Sequence, residues 1–401
     1  MNLIAEIRMP NVIHYGRGSL SKLGKEANEL GSKALLISDK PLSELGYVDK
    51  LIDSLEVDNV EAIPYLGVDS ETKDTHVEEA LTLFHENGCA FIIALGGGSC
   101  IDAAKAVALL ARNEGELIEY VGNRKIIKND PVPVIAIPTT AGTGSEVTDA
   151  LVVTHTINDI KMMIKQPKIM PRVAIVDPIL TLSAPKMITV ATGVDALSHA
   201  IEAFISRKSN PLSNTLALSS IKLIADNIQR VYEDGNDLEA RTQMALASMQ
   251  AGIAFSNASV CLVHGMSRPI GALFKVPHGI SNAMLLSAVL EFSESSCIEK
   301  LAQIGRTILR DIEQYSDEVI ARETVLFIKK LCMDLTIPNL ETWGIKEQDF
   351  EKVLDKMATD ALASGSPSNN PRIPSKEEII NLYRVSFTYD YSNMKLLNNN
   401  V

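Results

Sequence analysis

The sequence predicts an α/β unit followed by an all-helical one. Two observations carry this. In the first half, short β-branched apolar runs alternate with helical patterns. Strands that are apolar almost throughout belong in a mostly parallel sheet covered on both faces. From about Pro185 onward a 3.6-residue periodicity takes over, as in Leu212–Val231 and Leu238–Phe255. The change places the boundary near residue 184, giving units 1–184 and 185–401.

In chain order, the strand candidates are "KALLISD" (Lys33–Asp39), "AFIIALGGGS" (Ala90–Ser99), "VPVIAIPTT" (Val132–Thr140) and "RVAIVDP" (Arg172–Pro178). Helical patterns lie between them, as in "HVEEALTLFHENG" (His76–Gly88). "SGSPSNNPRIPS" (Ser364–Ser375) reads as one long surface loop, and the tail Ser392–Val401 as loosely held. No internal repeat, low-complexity tract or long charge run interrupts this order.

The chain has 401 residues, 46% of them hydrophobic, enough for a large core. A net charge of −12 without a basic cluster argues against nucleic acid or an anionic membrane as partner. The five cysteines are scattered and form no CxxC pair, which suits reduced thiols in a cytoplasm. The start lacks the basic and apolar regions of a signal peptide. No apolar stretch is read as long enough for a membrane span, which takes ~20 residues. The expectation is a soluble, cytoplasmic protein.

Gly96, Gly97, Gly98 and Ser99 separate a strand from a helix that carries Asp102 and Lys105 in its first turns. Glycine lets backbone approach an oxyanion closely, and the free N–H groups at a helix start favour negative charge. The segment is neither a P-loop, since no G-K-[ST] follows, nor a GxGxxG fingerprint, whose acidic residue comes ~20 positions later. Here the candidate acid, Asp39, precedes the loop. The plainer reading is a tight strand–helix turn. "PTTAGTGSEVTDA" (Pro138–Ala150) is a second donor-rich loop, with Thr139, Thr140, Gly142, Thr143, Gly144 and Ser145. Its plainer reading is a helix cap with its loop. Two such loops at strand ends predict a cofactor crevice.

In the helical half, Asp195 and His199 are four residues apart and share a helix face. His264 and His278 follow in a second apolar setting. Any one histidine fits a satisfied core or surface position. Together, in apolar surroundings where unpaired polar groups are costly, one carboxylate and three imidazoles suit Fe²⁺ or Zn²⁺ with a position open for substrate.

With these motifs assembled, the whole chain resembles the iron-containing (group III) alcohol dehydrogenases. "MPNVIHYGRGSL", "GGGSCIDAAK", "PTTAGTGSEVT", "VDPILTLSAP", "TGVDALSHAIEAF", the His264–His278 segment and "NNPR" carry the likeness. The resemblance implies a dehydroquinate synthase-like fold: a nucleotide-binding α/β domain, an all-α metal-binding domain, and the active site in the cleft between them. Under it, Gly97, Gly98 and Ser99 match the pyrophosphate loop. Thr139, Thr140, Thr143 and Ser145 match the second cofactor loop, and Lys161 and Leu180 line the rest of the dinucleotide. Asp195, His199, His264 and His278 match the metal ligands. Asp39 matches the adenosine-ribose position, where a carboxylate favours NAD over NADP. A homo-oligomer is also implied.

The sequence departs from the family in one telling place. Many members carry a second histidine four residues beyond the third ligand; here that position is Arg268. Arginine is a poor proton shuttle but grips carboxylate, sulfonate or phosphonate through paired hydrogen bonds. Arg268 therefore predicts a short anionic aldehyde as substrate: sulfoacetaldehyde, phosphonoacetaldehyde or succinic semialdehyde. An arginine paired with a neighbouring carboxylate is the plainer alternative. Cys100, where many relatives carry proline, receives no role. The rival functions are a general alcohol or diol dehydrogenase on neutral substrates, a lyase or cyclase on the same scaffold, and a non-catalytic nucleotide-binding protein.

Overall fold

The computed structural model describes residues 4–69, 71–157 and 160–393. Residues 394–401, most of the tail read above as loosely held, lie outside them. Six parallel strands form the main sheet: β1 (Val12–Tyr15), β2 (Lys33–Asp39), β3 (Glu61–Val68), β4 (Phe91–Gly96), β5 (Val134–Pro138) and β8 (Val173–Val176). Their order is β1-β8-β5-β4-β2-β3. The four strands anticipated from sequence are the central ones. β1 and β3 had been missed; both are edge strands, and neither is a fully buried apolar run.

Alternation along the strands feeds two apolar layers. Leu35, Ile37, Ile92 and Ala94 pack on one face against the helices Asp74–Glu86 and Gly98–Leu110. Ala34, Leu36, Ile93 and Leu95 pack on the other, with Leu42, Val48, Leu51 and Leu55. From β2 the chain moves outward to β3; from β4 it moves the opposite way to β5. The carboxyl ends of β2 and β4 therefore flank the point where the winding reverses, which is where open parallel sheets bind ligands. Asp39 ends one of these strands and the glycine loop follows the other.

β6 (Ala150–His155) and β7 (Ile160–Lys165) form an antiparallel hairpin that the sequence reading had not resolved. Helices dominate from Lys186 to Phe387. The helix Lys186–Ile205 runs through their core, buried on every side from Val194 onward. By length and composition it could cross a bilayer, a correction to the reading that no stretch was long enough. Its apolarity is that of a core helix, 89% buried inside the protein.

The Ser364–Ser375 segment also differs from expectation. It is a packed strap. A short turn at Ser366–Asn369 presses on the helix Leu262–Phe274, where a Cβ on Gly265 would lie 2.7 Å from Pro367 Cγ. The Asn369 amide donates to Ser259 Oγ at 2.9 Å, and the fully buried Asn370 donates to Ser293 Oγ at 2.9 Å. Polar composition suggested solvent; here the polar groups are spent on the backbone and hydroxyls beside the His264 helix. All five cysteines are free and buried.

Candidate active site

Three helices bring the metal-ligand candidates together. Asp195 and His199 project from Lys186–Ile205, His264 from Leu262–Phe274, and His278 opens His278–Ser293. Their four ligand atoms lie within 4.8 Å of one another. Asp195 Oδ1 is 3.6 Å from His264 Nε2 and 4.0 Å from His278 Nε2. The Asp195 and His264 side chains are 1% and 4% exposed, whereas His278 is 41% exposed and forms the open side. His199 stacks between His264 and Phe255, with ring centroids at 4.4 and 4.2 Å.

Close approaches fix two of the ligand helices against each other and against the α/β unit. A Cβ on Gly279 would lie 2.6 Å from the Ala191 carbonyl oxygen, and one on Gly142 would lie 2.7 Å from that of Thr192. Gly142, in the second donor-rich loop, is thus wedged against the turn of helix that leads to Asp195.

Glu202 is a residue the sequence reading missed. It is 1% exposed and accepts a hydrogen from His264 Nδ1 at 2.6 Å. Its two oxygens also accept the backbone N–H groups of Cys261, at 2.9 Å, and Val263, at 2.6 Å, closing the start of the His264 helix. Burial lowers the His264 pKa, but Glu202 and then Asp195 override it and raise the pKa to about 9. Burial lowers that of His199 to about 4 against the pull of Asp195. For Asp195 burial acts upward, and the surrounding histidines bring its carboxyl well below the usual range. The signal for Glu202 was available: with Asp195 and His199 it falls at i, i+4 and i+7 on one helix face. Asn282, one turn beyond His278, was missed too; its amide donates to Asp195 Oδ1 at 2.6 Å.

The residues fit a divalent transition metal. One carboxylate and three imidazoles converge, mostly buried, and Glu202 fixes the His264 tautomer so that Nε2 faces the cluster. Because such an outer partner orients its ligand, Glu202→Gln should weaken metal affinity about 10- to 100-fold while the fold persists. Metal titration of the stripped protein checks this.

The cofactor candidates divide into two groups. Gly97, Gly98, Ser99, Thr140 and Thr143 are partly exposed and face one another across the reversal point. A Cβ on Gly98 would lie 2.8 Å from Thr143 Cγ2, and one on Gly97 would lie 3.7 Å from Thr140 Oγ1. The first-turn N–H groups of Gly98–Leu110 have no side-chain cap, which suits a phosphate. Gly98→Ala should therefore raise the KM for a dinucleotide about tenfold, since overpacking costs ~1–3 kcal/mol. Steady-state kinetics with varied coenzyme reads this directly.

Asp39 caps the short helix after β2, accepting from Leu42 N at 2.9 Å, while its other oxygen lies 3.9 Å from Cys100 Sγ. Burial raises its pKa. Four further candidates are buried or make contacts within the protein. Thr139 is 6% exposed and hydrogen-bonds through its backbone to Gly96. Ser145 donates to Asp102 Oδ1 at 2.5 Å. Leu180 lies in the apolar layer, 4% exposed. Lys161, on β7, pairs with Glu71 at 2.8 Å.

Arg268 sits one turn beyond His264. Among the described residues it makes no ion pair; its guanidinium donates to Met163 Sδ on β7 at 3.2 Å. Burial lowers its pKa, and the charge of Glu202 opposes the shift.

The geometry agrees with known proteins. The iron-containing alcohol dehydrogenase family model matches residues 10–178, and the C-terminal model of the Fe-containing alcohol dehydrogenase family matches 189–387. The 1,3-propanediol dehydrogenase of Klebsiella pneumoniae is 38% identical over 94% of this chain and 98% of its own length. The NAD-dependent methanol dehydrogenase of Bacillus methanolicus is 33% identical, with the same coverage of both chains. A crystal structure of 1,3-propanediol oxidoreductase superposes with a TM-score of 0.92 at 38% identity, covering 96% of this chain and 100% of that one. The sulfoacetaldehyde reductase of Bifidobacterium kashiwanohense, solved with NAD⁺, superposes at 0.86 and 26% identity, covering 97% and 100%. Sequence, fold and buried ligand set agree, and the chain belongs to the iron-containing alcohol dehydrogenase family, whose members interconvert alcohols and aldehydes.

Proposed function

We propose that this dehydrogenase uses NADH to reduce a short aldehyde bearing a sulfonate, phosphonate or carboxylate group. The observation that carries this is Arg268. A guanidinium is costly to desolvate, and among the described residues this one forms no ion pair, feeling only the charge of Glu202 at longer range. A substrate anion would supply the partner through paired hydrogen bonds. The sulfoacetaldehyde reductase among the solved relatives has an anionic aldehyde in its name.

In this reading the glycine loop and the Thr140–Thr143 loop hold the coenzyme, and Asp39 selects NAD. Asp195, His199, His264 and His278 would hold the iron, which would supply Lewis acidity toward the substrate carbonyl. Bound NADH would supply the hydride for the carbonyl carbon and water the proton for the oxygen, giving alcohol and NAD⁺. The chain's own work is to orient both reactants. Arg268 holds the far end of the substrate, Glu202 keeps His264 aligned, and Phe255 and the buried helices limit water.

A second reading has its own support. The K. pneumoniae relative is named for a neutral diol. Inhibition separates the two. Ethanesulfonate and propionate carry the charge without the aldehyde. They should compete with substrate at least about tenfold more tightly than propionamide, a difference of ~1.4 kcal/mol. Equal or weaker inhibition by the anions would remove the anionic reading and leave the neutral one.

A further inference from the structure

Asn282 is fully buried on the helix His278–Ser293, one turn beyond His278. Its amide nitrogen is enclosed by acceptor atoms from three of the ligand candidates. Asp195 Oδ1 lies at 2.6 Å, His264 Nε2 at 3.1 Å and His278 Nε2 at 3.2 Å. These neighbours fix which end of the side chain points inward. An amide oxygen would be repelled by the carboxylate, so the nitrogen faces the cluster. Glu202 sets the matching tautomer on the far side of the ring: it takes the Nδ1 hydrogen of His264 and leaves Nε2 as an acceptor. The amide thus closes a chain of contacts from Glu202 through His264 to Asp195, and it touches residues of all three helices that carry the ligand candidates.

Asparagine is a poor choice here for packing alone. Its neighbours on the helix, Ile280, Ala283 and Met284, belong to the apolar core. Its own Oδ1 is buried and, among the described residues, has no hydrogen-bond partner. A buried polar atom left unpaired costs stability, and a leucine of similar size would carry none. The nitrogen, by contrast, has two hydrogens for three acceptors. The acceptor capacity left over belongs to the cluster and suits a cation. With the imidazole nitrogens given to a metal, the amide would keep its shortest contact, the one to Asp195.

We propose that Asn282 is a positioning residue of the metal centre: its amide pins Asp195 and braces His264 and His278, so that the ligand atoms converge before a metal enters. Glu202 orients one imidazole from outside the cluster, whereas Asn282 acts from within it and on the carboxylate. The inference rests on the four converging residues holding the metal and is independent of the anionic substrate.

The test is Co²⁺ titration of the full-length chain after chelator treatment, read by visible absorption, in wild type, Asn282→Leu and Asn282→Ser. The Co²⁺ bands report how its ligands are arranged. Asn282→Leu should raise the Co²⁺ Kd about tenfold, as loss of a partner that orients a metal ligand does, and should shift the bands. Asn282→Ser keeps a donor on a shorter arm. It should weaken Co²⁺ in the same direction but less, and it carries the test if Asn282→Leu does not fold. Thermal melting separates this from a packing role. A lower Tm with wild-type Kd and bands would make Asn282 a core residue only and overturn the inference, as would tighter Co²⁺ binding in the variants. A failure of the metal assignment looks different: wild type itself would bind no Co²⁺, and the inference would fall with it.

Discussion

Asp195→Ala is expected to give a folded protein that no longer retains iron and reduces aldehyde about 1,000-fold less efficiently. Asp195 is the one carboxylate among the four converging ligands, and its side chain is 1% exposed. Losing it leaves three neutral or competing imidazoles around a divalent charge. Lewis-acid activation is worth several kcal/mol, and ~4 kcal/mol corresponds to about three orders of magnitude in rate. Folding should survive because Glu202 still pairs His264, and the apolar faces of Lys186–Ile205 are untouched. Elemental analysis, thermal melting and kcat/KM check the three parts separately. Wild-type iron content with an intact rate would show that these residues do not form the metal centre.

Arg268→Ala carries the second large effect. If the guanidinium grips the substrate anion, truncation should lower kcat/KM for the anionic aldehyde about 100-fold, within the ~2–5 kcal/mol typical of a buried charge pair losing one partner. Activity on propionaldehyde should change little or rise. Arg268→Lys should recover only part of the loss, because a point charge cannot replace the planar fork. The diagnostic quantity is the ratio between substrates, which a general loosening of the helix would leave unchanged. Removing the guanidinium should lower thermal stability little, since only its bond to Met163 Sδ and no ion pair among the described residues is lost.

Much of this architecture was legible in the chain. β2 coincides with "KALLISD", and β4 ends on the first glycine of the loop; short apolar β-branched runs bounded by turn residues suit buried parallel strands. The ligand set was legible because Asp195 and His199 obey helical spacing. What was not legible depended on packing. β1 and β3 are edge strands, so they lack the apolar runs that mark central ones. The strap at Ser366–Asn369 looks polar because its polar groups satisfy Ser259, Val260 and Cys261, contacts more than 100 residues away in sequence. Ser145 reads as a free donor until Asp102 and Lys105 are seen beside it. Glu202 was passed over because a glutamate in a helix ordinarily faces water. Arg268 showed the reverse: the sequence marked it as unusual, and among the described residues it forms no ion pair.

The central claim is that Arg268 makes this iron-dependent enzyme a reductase of short anionic aldehydes. The most direct measurement is NADH oxidation by the iron-loaded protein with sulfoacetaldehyde, phosphonoacetaldehyde and succinic semialdehyde, each set against propionaldehyde. The account predicts that at least one anion exceeds propionaldehyde in kcat/KM by about 100-fold, the worth of one well-formed charged pair. Equal or better turnover of propionaldehyde would contradict it and assign the enzyme to neutral alcohols and diols.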